Sequence, residues 1–241
     1  MKFQFRLGLA VAVSISFAIL VSLGVWQLKR LEWKRGIIAQ MSERLGSAPI
    51  PFGEALAREA RGENLEYQPV FIEGAYAHDL ESAVFGTYEG APGVYIFTPL
   101  AAADDSAASP RYVFVNRGFA PQEFRDSSTR LDGLVAGDVR VEGLFRHAER
   151  RRGFEEILAP QDQPEDNLFF IRDPSILAAP HKIDVPAYYI DGDGRENKGA
   201  WPRGGVTRTD IPNRHLEYAL TWFGLAAALL CVFLAYSVRR D

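Results

Sequence analysis

His215, Tyr218 and Trp222 are the residues of this chain whose types and spacing point most directly to chemistry. On a helix the spacing i, i+3, i+7 places them on one face, and Leu225 and Leu229 carry that face onward. An imidazole above an aromatic and aliphatic wall has the parts to hold a flat, apolar macrocycle with an iron centre. The ring nitrogen ligates the metal and the wall packs the macrocycle. Lys29, Arg30 or Arg214 would pair with carboxylates at the water line. The same residues also make an ordinary interfacial belt, with Tyr and Trp at a water–lipid boundary beside a histidine. Both readings stand on the pattern alone.

The elements that must position these residues are apolar stretches at the two ends of the chain. Leu7–Leu28 and Tyr218–Val238 contain no charged residue. Each has roughly 20 residues, which at about 1.5 Å per residue covers the roughly 30 Å of a bilayer's hydrocarbon. The first stretch is too long for a signal peptide's apolar region and no small-x-small site follows it. Trp26-Gln27-Leu28-Lys29-Arg30 follows instead, as at the end of an uncleaved anchor. The expected organisation is an N-terminal segment (1–6), a first transmembrane helix (7–28), an extramembrane domain (29–214), a second transmembrane helix (215–238) and a C-terminal segment (239–241). Lys2, Arg6, Arg239 and Arg240 favour a cytoplasmic side for both termini. Lys29, Arg30, Lys34 and Arg35 crowd the other flank, but long translocated loops escape the positive-inside count.

Leu28, Leu31, Ile38, Met41 and Leu45 repeat at helical spacing, so the first helix is expected to run on as an amphipathic one until Gly46-Ser47-Ala48-Pro49. A short helix is expected over 52–59. Strands rich in Val, Ile, Phe and Tyr are expected over 67–76, 83–88, 94–100, 112–119, 139–145, 168–172 and 187–190. Turns fall at 89–93, 132–133 and 191–194, and a loop at 104–110. The fold class is therefore two transmembrane helices flanking a mainly antiparallel β domain, barrel- or sandwich-like, with a short amphipathic helix.

Charge and composition remove several functions. The 31 Asp and Glu outnumber the 27 Lys and Arg, and four of the basic residues lie outside the middle segment. Such a domain is a poor partner for nucleic acid. Cys231 is the one cysteine, so no intrachain disulfide forms, and with only Met1 and Met41 the chain is a poor copper carrier. Asp191-Gly192-Asp193-Gly194 opens like a calcium loop, but no acid stands at the distal ligand position, and a turn is expected. Arg150-Arg151-Arg152 reads as a solvated basic rim. His78, His147 and His181 have no partner at metal-ligand spacing, and no nucleophile motif or phosphate loop occurs, so no enzyme is expected. Gly24, Gly224 and Ala226 to Ala228 are small enough to let two helices pack closely.

Leu23-Gly24-Val25-Trp26-Gln27 with Arg30, Trp33 and Lys34 forms one motif. Pro69-Val70, Gly74 and Tyr76 form a second, and Thr98-Pro99-Leu100 with Val115-Asn116-Arg117-Gly118 and Pro121 a third. Asn213, His215, Tyr218, Ala219, Thr221 and Trp222 form a fourth. In order, between two terminal spans, these resemble the surfeit locus protein 1 family of cytochrome c oxidase assembly factors. Two positions depart from the family pattern: Phe119 stands where a Trp is usual and Arg214 where a second Asn is frequent. The resemblance implies cytoplasmic termini, with the domain in the periplasm of a bacterial inner membrane, or in the intermembrane space if the membrane is mitochondrial. It also implies help in building oxidase subunit I, and haem a bound through the His that matches His215. The candidate cofactor set is then His215, Tyr218, Trp222, Trp26 and Arg30, with His215 on the iron. In that reading haem a passes from haem a synthase to His215 between the two spans, and on to subunit I. In the alternative the chain is a haem-free scaffold or chaperone for subunit I. A membrane-tethered enzyme acting on a lipid or haem is the weakest of the three.

Overall fold

The computed structural model describes residues 2–3, 7–103, 110–151, 153, 158–197, 199–206 and 213–239. Of the loop expected over 104–110, residues 104–109 lie outside them, as do Arg6, Arg152, Arg240 and Asp241. The chain divides into two compact units, Met1–Ser42 with Thr209–Asp241, and Glu43–Arg208.

A two-residue strand, β1 (Lys2–Phe3), precedes one continuous helix of 39 residues, α1 (Leu7–Leu45). At about 1.5 Å per residue α1 is roughly twice as long as a hydrocarbon core is thick. It stops where the sequence says it should. Past Gly46, the Ser47 amide and hydroxyl both donate to the Arg44 carbonyl, at 2.9 and 2.7 Å. Next come β2 (Ile50–Pro51), α2 (Phe52–Ala60), β3 (Pro69–Tyr76), β4 (Ser82–Tyr88), β5 (Ala91–Ala102) and β6 (Tyr112–Pro121). They are followed by β7 (Asp138–His147), β8 (Leu168–Phe169), a short helix α3 (Pro174–Ala178) and β9 (Tyr188–Gly192). A helix α4 (His215–Ser237) and β10 (Val238–Arg239) close the chain. Both α1 and α4 are long and apolar enough to cross a bilayer.

The sheet of the second unit is mostly antiparallel. Strand β3 pairs with β7, β7 with β9, β9 with β6, β6 with β5, and β5 with β3 again, so the pairings form a closed circuit of strands. The long β5 makes this possible. Ala91–Phe97 pairs with β4, and Leu100–Ala102 pairs with β3 along the same edge. Parallel pairs join β2 to β3, β8 to β4 and β9 to β6. At the β3–β5 junction a Cβ on Gly74 would lie 2.0 Å from the Ala101 carbonyl oxygen, so only glycine lets the two backbones meet.

Apolar faces of these strands fill the core. Val70, Leu100, Val113, Val115, Val141, Phe145 and Ile190 cluster with Phe52 and Ala55 of α2, and the Phe52 and Phe145 rings stand 5.5 Å apart. Burying each such side chain contributes roughly 1.5–3 kcal/mol. Helix α2 is amphipathic because Phe52 and Ala55 share its buried face. A second cluster packs Tyr95, Phe97, Phe114, Phe119 and Tyr189 around Leu177 of α3.

Three local expectations are corrected. The turn expected over 89–93 contracts to Glu89-Gly90, both at positive φ, because a two-residue hairpin with that geometry matches the strand twist and lets β5 begin at Ala91. The strand expected over 168–172 ends at Phe169. The Phe170 amide donates to Asp162 at 2.7 Å instead of to a neighbouring strand, and Asp173 already caps α3. Asp191 and Gly192 belong to β9 rather than to a turn. The Asp191 carboxylate accepts from Asn116 at 2.7 Å and Arg146 at 2.5 Å, which holds it in the sheet.

Candidate functional site

The sequence-derived candidates all lie on α1 and α4, within the first unit. There the two helices run antiparallel. Gly24 meets Phe223, Gln27 meets His215, and β1 pairs antiparallel with β10. Less exposed positions of α4 recur at 215, 219, 222, 226, 229 and 233, with 223 and 237 beside them, and those of α1, as far as residue 31, at 10, 13, 17, 20, 24, 27 and 31, with 21 and 23 beside them. This interval of three and four keeps one stripe of each helix turned inward. A Cβ on Gly24 would stand 2.6 Å from the Phe223 ring, and Ala219 and Ala226 are buried. The seam below His215 is therefore closely packed at these positions. Among the small residues expected to pack, Gly224 meets nothing within 4 Å, and Ala227 and Ala228 are exposed. They lie off the inward stripe.

His215 is half-buried at the first turn of α4, and its Nδ1 lies 2.7 Å from Oε1 of Gln27. No described residue bonds its Nε2. Trp222 and Leu229 share the inward stripe, while Tyr218 is 54% exposed and Leu225 is exposed as well. The expected wall is thus split: the i+3 position turns outward where the i+7 position turns in. Trp26 is 54% exposed, and the Arg30 guanidinium lies 4.2 Å above the Trp33 ring. Neither Trp26 nor Arg30 bonds His215 among the described residues, and Arg214 is exposed. The residue missed in the sequence is Gln27. Its signal was a long amide side chain inside a charge-free span, where a polar group needs a partner.

The domain motifs converge on a buried polar centre rather than on an open site. The β5–β6 register slips between Ile96 and Phe97, which face Gly118 and Asn116, so Arg117 is the extra residue of a bulge. Its side chain is 1% exposed, lies 4.7 Å over the Tyr76 ring and donates to the Gly133 carbonyl at 2.5 Å. The Tyr76 hydroxyl donates to Glu196 at 2.9 Å. Burial holds the Arg117 guanidinium below its usual value, and burial followed by Glu196 pushes the Tyr76 phenol well up. Phe119 packs against Tyr88 and Tyr95 with ring centroids 5.6 and 5.7 Å away, filling the place where the family pattern has Trp. Beside this centre Arg130 and Glu81 form a buried ion pair. Burial raises the Glu81 carboxyl above the usual carboxylate range, outweighing the opposing pull of Arg130.

The scattered histidines also find their places. His78 and His181 line one cavity of about 610 Å³ together with Asp79, Glu81 and Arg125. Burial holds both imidazoles below the ordinary histidine value. His147 contacts Glu59 of α2 at 2.7 Å. Among the described residues no group of three His, Cys, Asp or Glu could hold a metal ion. In the basic run, Arg151 lies 3.5 Å from Asp162 rather than free at a rim, and Arg150 lines a cavity with His147 and Tyr188.

A family model described as the SURF1 family matches residues 14–227. The chain is 32% identical over 233 residues to surfeit locus protein 1 of Rattus norvegicus, covering 90% of this chain and 72% of the relative. It is 32% identical over 222 residues to surfeit locus protein 1 of Homo sapiens, with 86% and 70% covered. A SURF1-like protein of Monosiga brevicollis is 30% identical over 223 residues, with 88% and 80% covered.

Proposed function

The chain belongs to the SURF1 family, and from that premise we propose that it is a membrane-anchored, non-catalytic assembly factor for cytochrome c oxidase. In this reading α1 and α4 span the membrane with both termini cytoplasmic. The domain stands in the periplasm of a bacterial inner membrane, or in the intermembrane space if the membrane is mitochondrial. His215 holds haem a received from its synthase and yields it to oxidase subunit I. One observation carries the reading. His215 is half-buried at the mouth of an apolar helix, with one ring nitrogen tied to Gln27 and the other bonded by no described residue, which is the arrangement of an imidazole that could ligate iron. Haem a, when bound, would supply the iron centre. His215 would supply one nitrogen ligand and Trp222 a half-buried aromatic edge. A single imidazole suits transfer, because it allows release.

The test is the visible spectrum of the full chain, purified in detergent after co-expression with haem a synthesis. Wild type is expected to carry haem a absorbance, and His215→Ala, accumulating to the same level, to lose it. Equal absorbance in the two removes His215 as the ligand.

The close packing of the two helices supports a second reading. Gly24 packs against Phe223, and Ala219 and Ala226 are buried, as suits a haem-free scaffold that holds subunit I through outward faces bearing Trp26 and Leu220. Its mark is co-purification with subunit I that survives His215→Ala, from preparations with no haem a absorbance.

A further inference from the structure

We propose that Gln27 is a positioning residue for His215: it holds the imidazole in the tautomer whose Nε2 carries the free lone pair. The purpose of this arrangement rests on the haem reading above; its test does not.

The geometry has few solutions. The Gln27 Oε1 and the His215 Nδ1 lie 2.7 Å apart across 188 residues of chain. An amide oxygen only accepts, so the hydrogen between them belongs to Nδ1. A neutral imidazole has one N–H, so Nε2 is left with its lone pair, and no described residue uses it. A hydrogen-bond acceptor on the far nitrogen also makes the ligating nitrogen more basic and fixes the ring's rotation. The place of Gln27 points the same way. It stands three residues from Gly24, which meets Phe223 on the facing helix, and packing alone would be served as well by leucine. A polar side chain at such a position costs association energy and is kept where it fixes an arrangement. Here the arrangement is the ring of His215.

The experiment uses the full chain in detergent micelles with 15N-labelled histidine. The sequence has 4 histidines, and His215→Ala identifies the signal of His215. Wild type is expected to show a protonated Nδ1 and an unprotonated Nε2. Gln27→Leu, similar in size but without the acceptor, is expected to shift His215 toward the Nε2–H form, and Gln27→Glu to keep the wild-type tautomer. A wild-type His215 protonated on Nε2, or a tautomer unmoved by Gln27→Leu, overturns the proposal. In the second arm the same three proteins are co-expressed with haem a synthesis. Gln27→Leu is expected to retain haem a about 10- to 100-fold less well. Gln27→Glu is expected to retain it with a more negative reduction potential. Haem a bound by all three with one affinity and one potential overturns the purpose assigned to the arrangement. If no variant carries haem a while the tautomer follows residue 27, positioning by Gln27 stands and the haem reading falls.

Discussion

At the scale of single residues, the domain depends on charges that have left water. The Glu81 and Arg130 side chains are 9% and 1% exposed. Removing one partner of such a pair strands the other, at about 3–5 kcal/mol, whereas removing both for apolar residues is often neutral. Glu81→Leu should therefore lower the urea midpoint of the domain sharply, and Glu81→Leu with Arg130→Met should recover most of the loss. A double variant as unstable as the single one would mean that the pair supplies specific packing besides charge. The histidines give a pH dependence of defined sign. The folded values of His78 and His181 are depressed by burial, so the unfolded chain binds more protons between the depressed and the ordinary value, and stability falls as pH drops through that window. Glu81 acts oppositely: its raised carboxyl takes up a proton in the folded state first, so acidification through its window adds stability. Thermal unfolding at pH 7.5 and below 6 should show a larger acid loss for wild type than for His78→Asn/His181→Asn. It should show a larger acid loss for Glu81→Gln than for wild type.

At the scale of elements, glycine marks where backbones or helices meet, and the neighbour decides the cost. The Cβ of Gly74→Ala would collide with the Ala101 carbonyl at 2.0 Å, and that of Gly118→Ala with the Arg203 carbonyl at 1.7 Å. Backbone cannot swing aside, so each should cost about 1–3 kcal/mol or more, and Gly74→Ala should open the β3–β5 junction. At Gly24 the obstacle is the Phe223 ring, which can rotate, and at Gly224 there is none. Limited proteolysis of the purified chain checks the order. Gly74→Ala should expose the domain to cleavage, Gly24→Ala should loosen only the helix pair, and Gly224→Ala should change nothing. A protease-resistant Gly74→Ala would show that the circuit does not need that junction.

At the scale of the whole molecule, both terminal helices carry outward apolar side chains that nothing among the described residues covers. Leu220, Val232 and Leu234 on α4 and Val11, Ile15 and Ile19 on α1 are exposed, as expected of helices whose solvent is lipid. Cys231 is exposed on α4 and is the chain's single cysteine, so it reports on that surroundings directly. A membrane-impermeant maleimide should leave Cys231 unlabelled in intact membranes and in membranes opened to both faces, and label it after denaturation in SDS. Labelling from either face of a native membrane would refute the span.

The sequence by itself determined the two apolar helices, the stop of α1 at Gly46-Ser47, the β-rich middle and the family, because each rests on local composition or on an ordered run of motifs. It also put His215 at the mouth of α4. Tertiary structure alone decided what His215 touches. The partner Gln27 lies 188 residues away, and no periodicity within one helix encodes the facing stripe of another. For the same reason Tyr218 and Trp222, one face by spacing, parted once α1 took the inward stripe. Distance in sequence likewise hid the closed strand circuit, the pairing of Glu81 with Arg130 and the cavity that His78 and His181 share. Long-range contacts are chosen by which surfaces can exclude water together, and that choice is made only when the whole chain has folded.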